Sequence, residues 1–457
     1  MGLHTMQKHG GVTRITNTRV EKCGQRGVEG KYCFHFHKMG SCPDCLFKGN
    51  AIENSQQRGI IVHGTHDTRV EDNVLYNVRG AGVYLEDGNE MWNRIEYNVA
   101  ICPFPFSDQT YHGCTVPGTS NVQADTDLNQ SGFFSNGAAS NDFIGNRAAN
   151  HFNGVFLLSD GVGRGEAVNK VCEASSRFGR FDGNTWHGNG RFGTYFLHNN
   201  YPLKTDQSVA NNGYNVNKEL CKGFDSQGRT RGLPVAVVNH IDYGNQFVGQ
   251  YEAGDIQYDG HHSVENINSM YWKETKNFEN GCGSHILNGH YSKGNMLLPD
   301  QATFIIDNTV GGNDVMLQAN HHCNVGVTGF LCMPQYVLHN FQWINGNRGK
   351  KWVEFQFFNA QPHSSNQNHG GIFTLSPSHS ATIKSGGTVK DSLFPPGYIS
   401  LVSNKFDYLL GTPNGLCKSS SSYGNLYDNG ILCKTELRAL KIYTRGLYAG
   451  SAPRLKV

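Results

Sequence analysis

Charge is scarce in this sequence, and neither sign dominates. Asp, Glu, Lys and Arg together make up 17% of the 457 residues, and the formal net charge is +2. A protein that binds nucleic acid normally carries a basic patch or stripe, so this balance argues against a nucleic-acid partner. The 21 histidines would add positive charge, but only as they become protonated when the pH falls toward about 6.

Long hydrophobic runs are absent as well. No apolar stretch reaches the roughly 18 residues that indicate a membrane-spanning helix. The first residues, MGLHTMQKHGGV, lack the apolar core of a signal peptide. Met1-Gly2 is the start of a myristoylation motif, but Met6 stands where that motif needs Ser or Thr. We therefore expect no transmembrane segment in this chain, and an export signal that lies outside it.

Lys, Glu and Leu, which favour helices, are sparse, whereas residues that favour turns are abundant. The chain contains 56 glycines among 457 residues, well above the roughly 7% of an average protein. Asparagine is also frequent. This composition is typical of short strands joined by tight turns, and it predicts an all-β fold.

A repeat organises the first part of the chain. The segments that begin at Asn50 and Asn73 lie 23 residues apart, and so do the strand-like segments that begin at Gly59 and Gly82. The unit recurs at three later asparagines, Asn98, Asn146 and Asn184. Such a period, with Gly and Asn turns, predicts a solenoid whose coils stack about 4.8 Å apart. The fixed Leu spacing of a leucine-rich repeat is absent.

We interpret this solenoid as a right-handed parallel β-helix with loop insertions. It is predicted to cover residues 1–200, with loops at 103–130 and 159–180. The pattern weakens beyond that point. Residues 201–360 are predicted to form further coils or a β-rich domain, and residues 361–457 a β-rich C-terminal region that starts with a Ser-, Gly- and His-rich linker.

The 13 cysteines are ordinary for a secreted protein and many for a cytosolic enzyme. We interpret Cys42-Pro43-Asp44-Cys45 as a local loop disulfide. The alternatives are a redox pair or half of a zinc site, but no second C-x-x-C motif accompanies it. One glycosylation sequon occurs, Asn129-Gln130-Ser131. Both features favour an extracellular or cell-surface protein.

Several motifs in the repeat region occur in the order and approximate spacing of a known family. They are Leu3-His4-Thr5-Met6, Tyr32-Cys33-Phe34-His35-Phe36-His37-Lys38-Met39-Gly40, Val62-His63-Gly64, Glu86-Asp87-Gly88, Ser131-Gly132-Phe133-Phe134, Asn146-Arg147-Ala148-Ala149 and Asn184-Thr185-Trp186-His187. In these motifs residues 1 to about 200 resemble the β-helix region of the cell-migration-inducing hyaluronan-binding protein, its cell-surface hyaluronidase relative and fibrocystin-L. One departure is Cys33, where the family usually has proline.

The resemblance implies a secreted or cell-surface β-helix that has hyaluronan or a similar polysaccharide as its partner. Only some members of the family cleave the polymer, and fibrocystin-L is better regarded as receptor-like. Two functions therefore remain open. One is a hyaluronidase-like glycan depolymerase, and the other is a non-catalytic glycan-binding or receptor-like surface protein.

Histidines and carboxylates recur at the spacing of the coils. His35 and His37 are two residues apart, so in a strand they face the same side. His63 follows His37 by 26 residues and precedes Glu86 by 23. We therefore expect His37, His63 and Glu86 to form a ladder on one face of three successive coils, with Asp87 beside it.

The three histidines His35, His37 and His63 are predicted to hold a divalent metal ion. Two imidazoles and a carboxylate suit Zn²⁺, whereas added carbonyl and Asp oxygens would suit Ca²⁺. His4 is a further candidate from the preceding coil. The alternative is a polar ladder facing solvent, in which the histidines hydrogen-bond along the helix.

Glu86, Asp87 and His63 are the predicted catalytic residues. Glycoside hydrolysis usually needs two carboxyl groups beside the scissile bond, which Glu86 and Asp87 would supply with His63 assisting. The alternative is elimination, as in a polysaccharide lyase. That reaction needs a basic residue near the cleaved carbon, and Arg58 and Arg69 are the available ones.

Four residues are predicted to bind the polysaccharide. Asp125 and Asp127 end the first insertion, where a loop could fold over a groove. Tyr84 is an aromatic residue able to stack on a sugar face. Arg58 offers a basic group on a neighbouring coil.

Overall fold

The structure is a computed structural model, and it is a ladder of short strands that wind into successive coils. It describes residues 2–103, 114, 131–137, 140–158, 164–168, 179–197 and 235–273 except 254–255, 260 and 267, together with separate segments between 304 and 437 that are mainly strands. Within these residues, no helix combines the length and hydropathy needed to cross a membrane.

The strands of the N-terminal part alternate with short turns. They are β1 (Gln7–Lys8), β2 (Arg14–Thr16), β3 (Arg19–Glu21), β4 (Phe34–Ser41), β5 (Leu46–Lys48), β6 (Ala51–Glu53), β7 (Ile60–His66), β8 (Arg69–Glu71), β9 (Val74–Tyr76), β10 (Val83–Leu85), β11 (Arg94–Glu96), β12 (Val99–Ile101), β13 (Ser131–Asn136), β14 (Asp142–Ile144), β15 (Arg147–Ala149), β16 (Asn153–Leu158), β17 (Phe181–Asp182), β18 (Thr185–His187) and β19 (Phe192–Leu197).

The strands beyond residue 234 are β20 (Val235–Val238), β21 (Ile241–Tyr243), β22 (Val248–Ala253), β23 (Ile256–Asp259), β24 (His262–Val264), β25 (Asn268–Lys273), β26 (Phe304–Asp307), β27 (Val315–His321), β28 (Gln335–Leu338), β29 (Phe341–Ile344), β30 (Lys351–Phe357), β31 (Ile372–Leu375), β32 (Ala381–Ser385), β33 (Thr388–Ser392), β34 (Ser400–Ser403), β35 (Cys417–Ser419) and β36 (Gly430–Cys433). Two short 3-10 helices are described, Gly165–Ala167 and Ser420–Tyr423.

Every third strand of the N-terminal part joins the same sheet, so each coil contributes one strand to each of three sheets. The first sheet has the order β1-β4-β7-β10-β13-β16-β19-β22-β25-β27-β30, the second β2-β5-β8-β11-β14-β17-β20-β23, and the third β3-β6-β9-β12-β15-β18-β21-β24-β26-β29-β32-β33. The coils pair in parallel, which confirms the all-β class and the parallel β-helix.

The far end of the chain departs from this pattern. A fourth sheet has the order β28-β31-β34-β36-β35, and β31, β34 and β36 pair in antiparallel fashion. Parallel pairing nevertheless continues past residue 200, since β19 pairs with β22 in the first sheet. The predicted domain bounds at residues 200 and 360 stay predictions.

Each coil passes from the second to the third sheet through a two-residue turn. The first turn residue has a left-handed backbone, which Gly, Asn and Asp adopt most easily. Its φ is +66° at Gly49, +56° at Asp72 and +63° at Gly145. This requirement explains why Gly, Asn and Asp recur at the period of the coil.

Asparagine fills the second turn position in five successive coils, namely Asn50, Asn73, Asn98, Asn146 and Asn184. Nδ2 of Asn73 donates to the carbonyl oxygen of Phe47 and to Oδ1 of Asn98, both at 2.9 Å. Oδ1 of Asn98 also accepts the backbone N–H of Asn73 at 3.1 Å. This asparagine ladder therefore satisfies backbone groups that the turns would leave buried and unpaired.

Apolar side chains fill the interior in columns that run from coil to coil. One column of the third sheet consists of Ile52, Leu75, Ala100, Ala148 and Trp186, none more than 1% exposed. Full burial of one large apolar side chain contributes about 1.5–3 kcal/mol. The interior columns thus supply much of the energy that holds the stacked coils together.

Four disulfides are described, and they support folding in an oxidising compartment. They are Cys23–Cys33, Cys42–Cys45, Cys102–Cys114 and Cys417–Cys433. The interpretation of Cys42 and Cys45 as a loop disulfide is confirmed. The other five cysteines and Asn129 of the glycosylation sequon lie outside the described residues.

We predict that Asn98→Ala lowers the free energy of unfolding of the β-helix by about 2–3 kcal/mol. The substitution removes the acceptor of Asn73 and the donor to the carbonyl oxygen of Val70, and each buried group left unsatisfied costs about 1–3 kcal/mol. Val74→Ala is the control, because Val74 is 43% exposed on a neighbouring coil. Thermal unfolding followed by circular dichroism measures both. Equal midpoints of thermal unfolding for Asn98→Ala and Val74→Ala would contradict a structural role of the asparagine ladder.

Candidate functional site

The structure brings the residues of the expected ladder together on the first sheet. His37 on β4 pairs with His63 on β7, and Glu86 directly follows Leu85, which pairs with Val62. His37, His63 and Glu86 therefore occupy matching positions on three successive coils. We call these three residues the His–Glu ladder.

Two local irregularities produce the 26-residue spacing between His37 and His63. The register between β4 and β7 shifts between His37 and Gly40, where Lys38 has a left-handed backbone. The rest of the extra length lies in the turn closed by the Cys42–Cys45 disulfide, since Leu46 already pairs with Arg69, 23 residues ahead. Of the three residues by which this spacing exceeds the 23-residue period, the bulge accommodates one and the turn accommodates two. The Cys42–Cys45 turn alone is therefore not the whole cause of this spacing.

Lys8 occupies the ladder position of the preceding coil. It pairs with His37 across β1 and β4. His4 lies elsewhere, with its Nε2 3.0 Å from Nζ of Lys31. His4 is therefore not part of the His–Glu ladder, and a lysine stands at the ladder's N-terminal end.

Three imidazoles cluster at the N-terminal end of the ladder. Nε2 of His35 lies 3.2 Å from Nδ1 of His37, and the rings of His35 and His63 stack with centroids 5.9 Å apart. One ring nitrogen from each of His35, His37 and His63 lies within 4.8 Å of the other two. The predicted metal ligands are therefore close enough to share one ion.

The first two of these histidines are held neutral. Burial, with smaller contributions from the charges of His37 and His63, lowers the pKa of His35 to about 3. Burial also lowers the pKa of His37 to about 4, again with a contribution from the charge of His63. Both side chains are therefore neutral imidazoles at neutral pH, which is the form that binds metal ions.

The third histidine lies between two carboxyl groups. Nδ1 of His63 is 3.5 Å from Oε2 of Glu86, and Nε2 is 3.0 Å from Oδ2 of Asp87. Burial lowers the pKa of His63, but the hydrogen bond to Asp87 and the charges of Glu86, Asp87 and Glu90 outweigh it and raise the pKa to about 9. His63 is therefore an imidazolium at neutral pH.

Glu90 is a site residue that the sequence reasoning missed. Its carboxylate is 1% exposed and accepts backbone N–H groups from Gly64 and Gly88, each at 2.8 Å, and from Asp87 at 3.0 Å. Burial and the charge of Asp87 raise the pKa of Glu90 to about 7. Glu90 fixes the turn that carries Asp87, and the coil period gave no signal for it.

A segment from the second insertion, residues 164–168, lies over Asp87. The backbone N–H of Arg164 donates to the carbonyl oxygen of Asp87 at 2.9 Å, and Glu166 forms a 2.5 Å ion pair with Lys38. Gly165 lies so close that a Cβ there would meet Oδ1 of Asp87 at 2.4 Å. This covering segment leaves the Asp87 side chain 5% exposed. Its position depends on long-range folding that sequence spacing cannot reveal.

The predicted substrate-binding residues are not gathered on an open surface. Arg58 and Tyr84 are each 2% exposed, and the Arg58 guanidinium lies 3.8 Å from the centre of the Tyr84 ring. Nη1 of Arg58 also donates to the hydroxyl of Tyr32 at 3.2 Å. Both side chains are buried, so they do not present a face to a polymer. Asp125 and Asp127 lie outside the described residues.

We predict that the stability gap between the wild-type protein and Asp87→Asn narrows as the pH rises from 7.5 to 10. The raised pKa of His63 means that its charged form stabilises the folded state below the unfolded value of about 6.5 and loses that contribution as the pH passes about 9. The gap is at most about 3 kcal/mol, at about 1.36 kcal/mol per pKa unit. Denaturant unfolding across this range measures it, and a gap that stays constant would contradict a charged His63.

Comparison with known proteins finds relatives that are similar to part of this chain. Mouse fibrocystin-L is 29% identical over 196 residues, which cover 42% of this chain and 4% of fibrocystin-L. A G8 domain-containing protein of Dictyostelium discoideum is 30% identical over 175 residues, or 37% of this chain and 12% of the relative. Communication mutant protein F of the same organism is 27% identical over 188 residues, or 40% of this chain and 17% of the relative.

Each match covers only a small part of the relative. Residues 1–194 also match a family model described as the CEMIP beta-helix. The resemblance expected from the motifs is thereby confirmed for residues 1–194, which are similar to the CEMIP β-helix.

Proposed function

We propose that the His–Glu ladder and Asp87 form the active site of an extracellular glycan depolymerase that acts on an acidic polysaccharide such as hyaluronan. The observation that carries the proposal is the imidazolium of His63 between the carboxyl groups of Glu86 and Asp87. Two carboxyl groups joined by a charged imidazole are costly to bury in a purely structural role. Perturbed titratable groups of this kind cluster at functional sites.

Glu86 is the proton donor in this proposal. Burial raises the pKa of its carboxyl group, and a carboxyl with a raised pKa can deliver a proton to a glycosidic oxygen near neutral pH. Its side chain remains 15% exposed, more than that of Asp87. Glu86 is therefore the better placed of the two to touch a substrate.

Asp87 is the second carboxyl group that hydrolysis requires. It accepts a hydrogen bond from His63 at 3.0 Å, and Glu90 holds its backbone. Its orientation is therefore fixed before any substrate arrives. Opening of the covering segment would expose it to the bond being cleaved.

The charge around the site suits a polymer that carries carboxylates. Lys8 is exposed and adjoins His37 in the ladder, and Lys38 is 40% exposed beside it. Together with the imidazolium of His63, these groups offer positive charge along one face of the first sheet. A uronate-containing glycan would place its carboxylates there.

A divalent metal ion is a second component of the proposal. The donor set fits, because His35 and His37 are neutral imidazoles that lie close to His63. Three imidazoles suit Zn²⁺, which would polarise the glycan or a water molecule when bound. Both ring nitrogens of His63 face carboxylates. A metal ion that binds either nitrogen would have to displace the proton from it.

A non-catalytic surface protein that binds glycans is the second candidate. The observation that favours it is the covering segment, where Gly165 packs against the carboxylate of Asp87. A site that stays covered, with Lys38 paired to Glu166, would bind a polymer through the exposed Lys8 without cleaving it. The four described disulfides support an extracellular or cell-surface location for either function.

We predict that Glu86→Gln lowers the rate of hyaluronan shortening by at least about 100-fold, because it removes the proton donor. Glu53→Gln is the matched control, since Glu53 is a partly buried carboxylate on the third sheet that pairs with Arg19. Size-exclusion chromatography of the polymer with light scattering measures both. Equal rates in the wild-type protein and Glu86→Gln would remove Glu86 from the mechanism. A wild-type protein that binds the polymer and never shortens it would establish the binding function instead.

We predict that His37→Ala removes one bound metal equivalent from the purified protein, because only two of the three imidazoles remain. Elemental analysis after dialysis against Zn²⁺ measures the loss. The control is Lys8→Ala, which changes the neighbouring ladder position and no imidazole. Equal zinc content in His37→Ala and the wild-type protein would contradict the proposed metal site at His35, His37 and His63.

A further inference from the structure

Two interior columns of the β-helix, which are apolar up to β18, contain polar side chains in the coils that follow. Ile52, Leu75, Ala100, Ala148 and Trp186 form one apolar column of the third sheet. The next member of that column is Asp242, which pairs with Trp186 and is 0% exposed. A carboxylate thus replaces a large apolar side chain in the middle of the core.

The asparagine ladder changes at the same level. The backbone N–H of Ile241 donates to the carbonyl oxygen of Asn184, and that of His262 donates to the carbonyl oxygen of His240. His240 and His261 therefore take the turn position that Asn184 holds one coil earlier. Both histidines are 0% exposed.

The facing column of the first sheet becomes polar as well. Val155 pairs with Thr194, and Thr194 pairs with Gln250. Thr194 and Gln250 are both 0% exposed, and neither polar atom of the Gln250 amide has a hydrogen-bond partner among the described residues. Two interior columns thus become polar, and the turn position changes from asparagine to histidine, within three consecutive coils.

The side chains in this region meet around one carboxylate. Oδ2 of Asp242 lies 3.1 Å from Nε2 of His240 and 3.6 Å from Nε2 of His261. Oδ1 of Asp242 has no hydrogen-bond partner among the described residues. It lies against Gly193, where a Cβ would come within 2.0 Å of it. Glycine at that position makes room for the carboxylate.

We infer that His240, Asp242 and His261 bind a structural divalent transition-metal ion, of the zinc class, inside the β-helix. Their ligand atoms lie within 4.8 Å of one another, and two imidazoles with one carboxylate are a donor set that Zn²⁺ prefers. Gln250 is a candidate for a neutral fourth ligand, because it pairs with Thr194, whose Oγ1 lies 2.9 Å from Nε2 of His240.

Without an ion, this cluster is poorly satisfied. One carboxylate faces two imidazoles, and Nε2 of His240 is shared between Asp242 and Thr194. All three side chains are 0% exposed, where a polar group without a full set of partners costs free energy. A metal ion would accept the lone pairs of all three side chains at once.

The ion would join two consecutive coils, since His240 and Asp242 belong to one coil and His261 to the next. An ion that binds only the folded chain adds its binding free energy to the stability of those coils. The site is independent of the His–Glu ladder, which lies on other coils and faces outward.

The test uses the full chain, secreted by cells in medium supplemented with Zn²⁺ so that the ion is present while the coils form. Crystals of this protein should show an anomalous peak at the zinc edge, about 2.0–2.2 Å from His240, Asp242 and His261. Asp242→Asn should lose one zinc equivalent by elemental analysis. Asp182→Asn, a change to a carboxylate of β17 that is 25% exposed and pairs with Arg180, should lose none.

The anomalous map of the wild-type protein decides the inference even if Asp242→Asn fails to fold. No peak among the three side chains would overturn it, as would full zinc content in a folded Asp242→Asn protein. A peak at His35, His37 and His63 alone would support the proposed metal of the outer site and overturn the interior one. A peak among His240, Asp242 and His261 alone would support the interior site and overturn the proposed metal of the outer site.

Discussion

The parallel register between successive coils is the constraint on which the rest of the structure depends. Backbone hydrogen bonds hold each residue beside the matching residue of the next coil, so side chains that are 23 to 26 positions apart touch. A slip of one residue would turn every side chain to the opposite face. The bulge at Lys38 and the disulfide-closed turn at Cys42 absorb the extra residues, and they return the chain to register before the next strand.

This stacking gives three neighbouring histidines different chemical states. His35 lies deepest and loses its charge to burial, and His37 is kept neutral by burial and by the charge of His63. His63 keeps its proton because Glu86 and Asp87 face its two nitrogens. One face of the helix therefore carries neutral imidazoles that can bind a metal ion, beside a charged one that orients carboxyl groups. The same stacking builds the interior cluster around Asp242, where apolar packing would otherwise continue.

Much of this could be predicted from the sequence, because the coil period places residues in columns. The period predicted the parallel β-helix and the alignment of His37, His63 and Glu86. It could not predict the covering segment at Gly165, which comes from an insertion outside the period. The burial of Arg58 and Tyr84 was also hidden, since strands buried on both faces show no alternation that separates inward from outward positions. The interior cluster at Asp242 was missed because the repeat weakens beyond residue 200.

The central claim is that coil stacking places His63 between two carboxyl groups and beside two neutral imidazoles. The most direct test is a titration of the histidine ring resonances by NMR, assigned with single His→Gln variants. The account predicts that His63 titrates near pH 9, while His37 and His35 stay neutral down to about pH 4 and pH 3. Three rings that titrate together near their ordinary value of about 6.5 would contradict it.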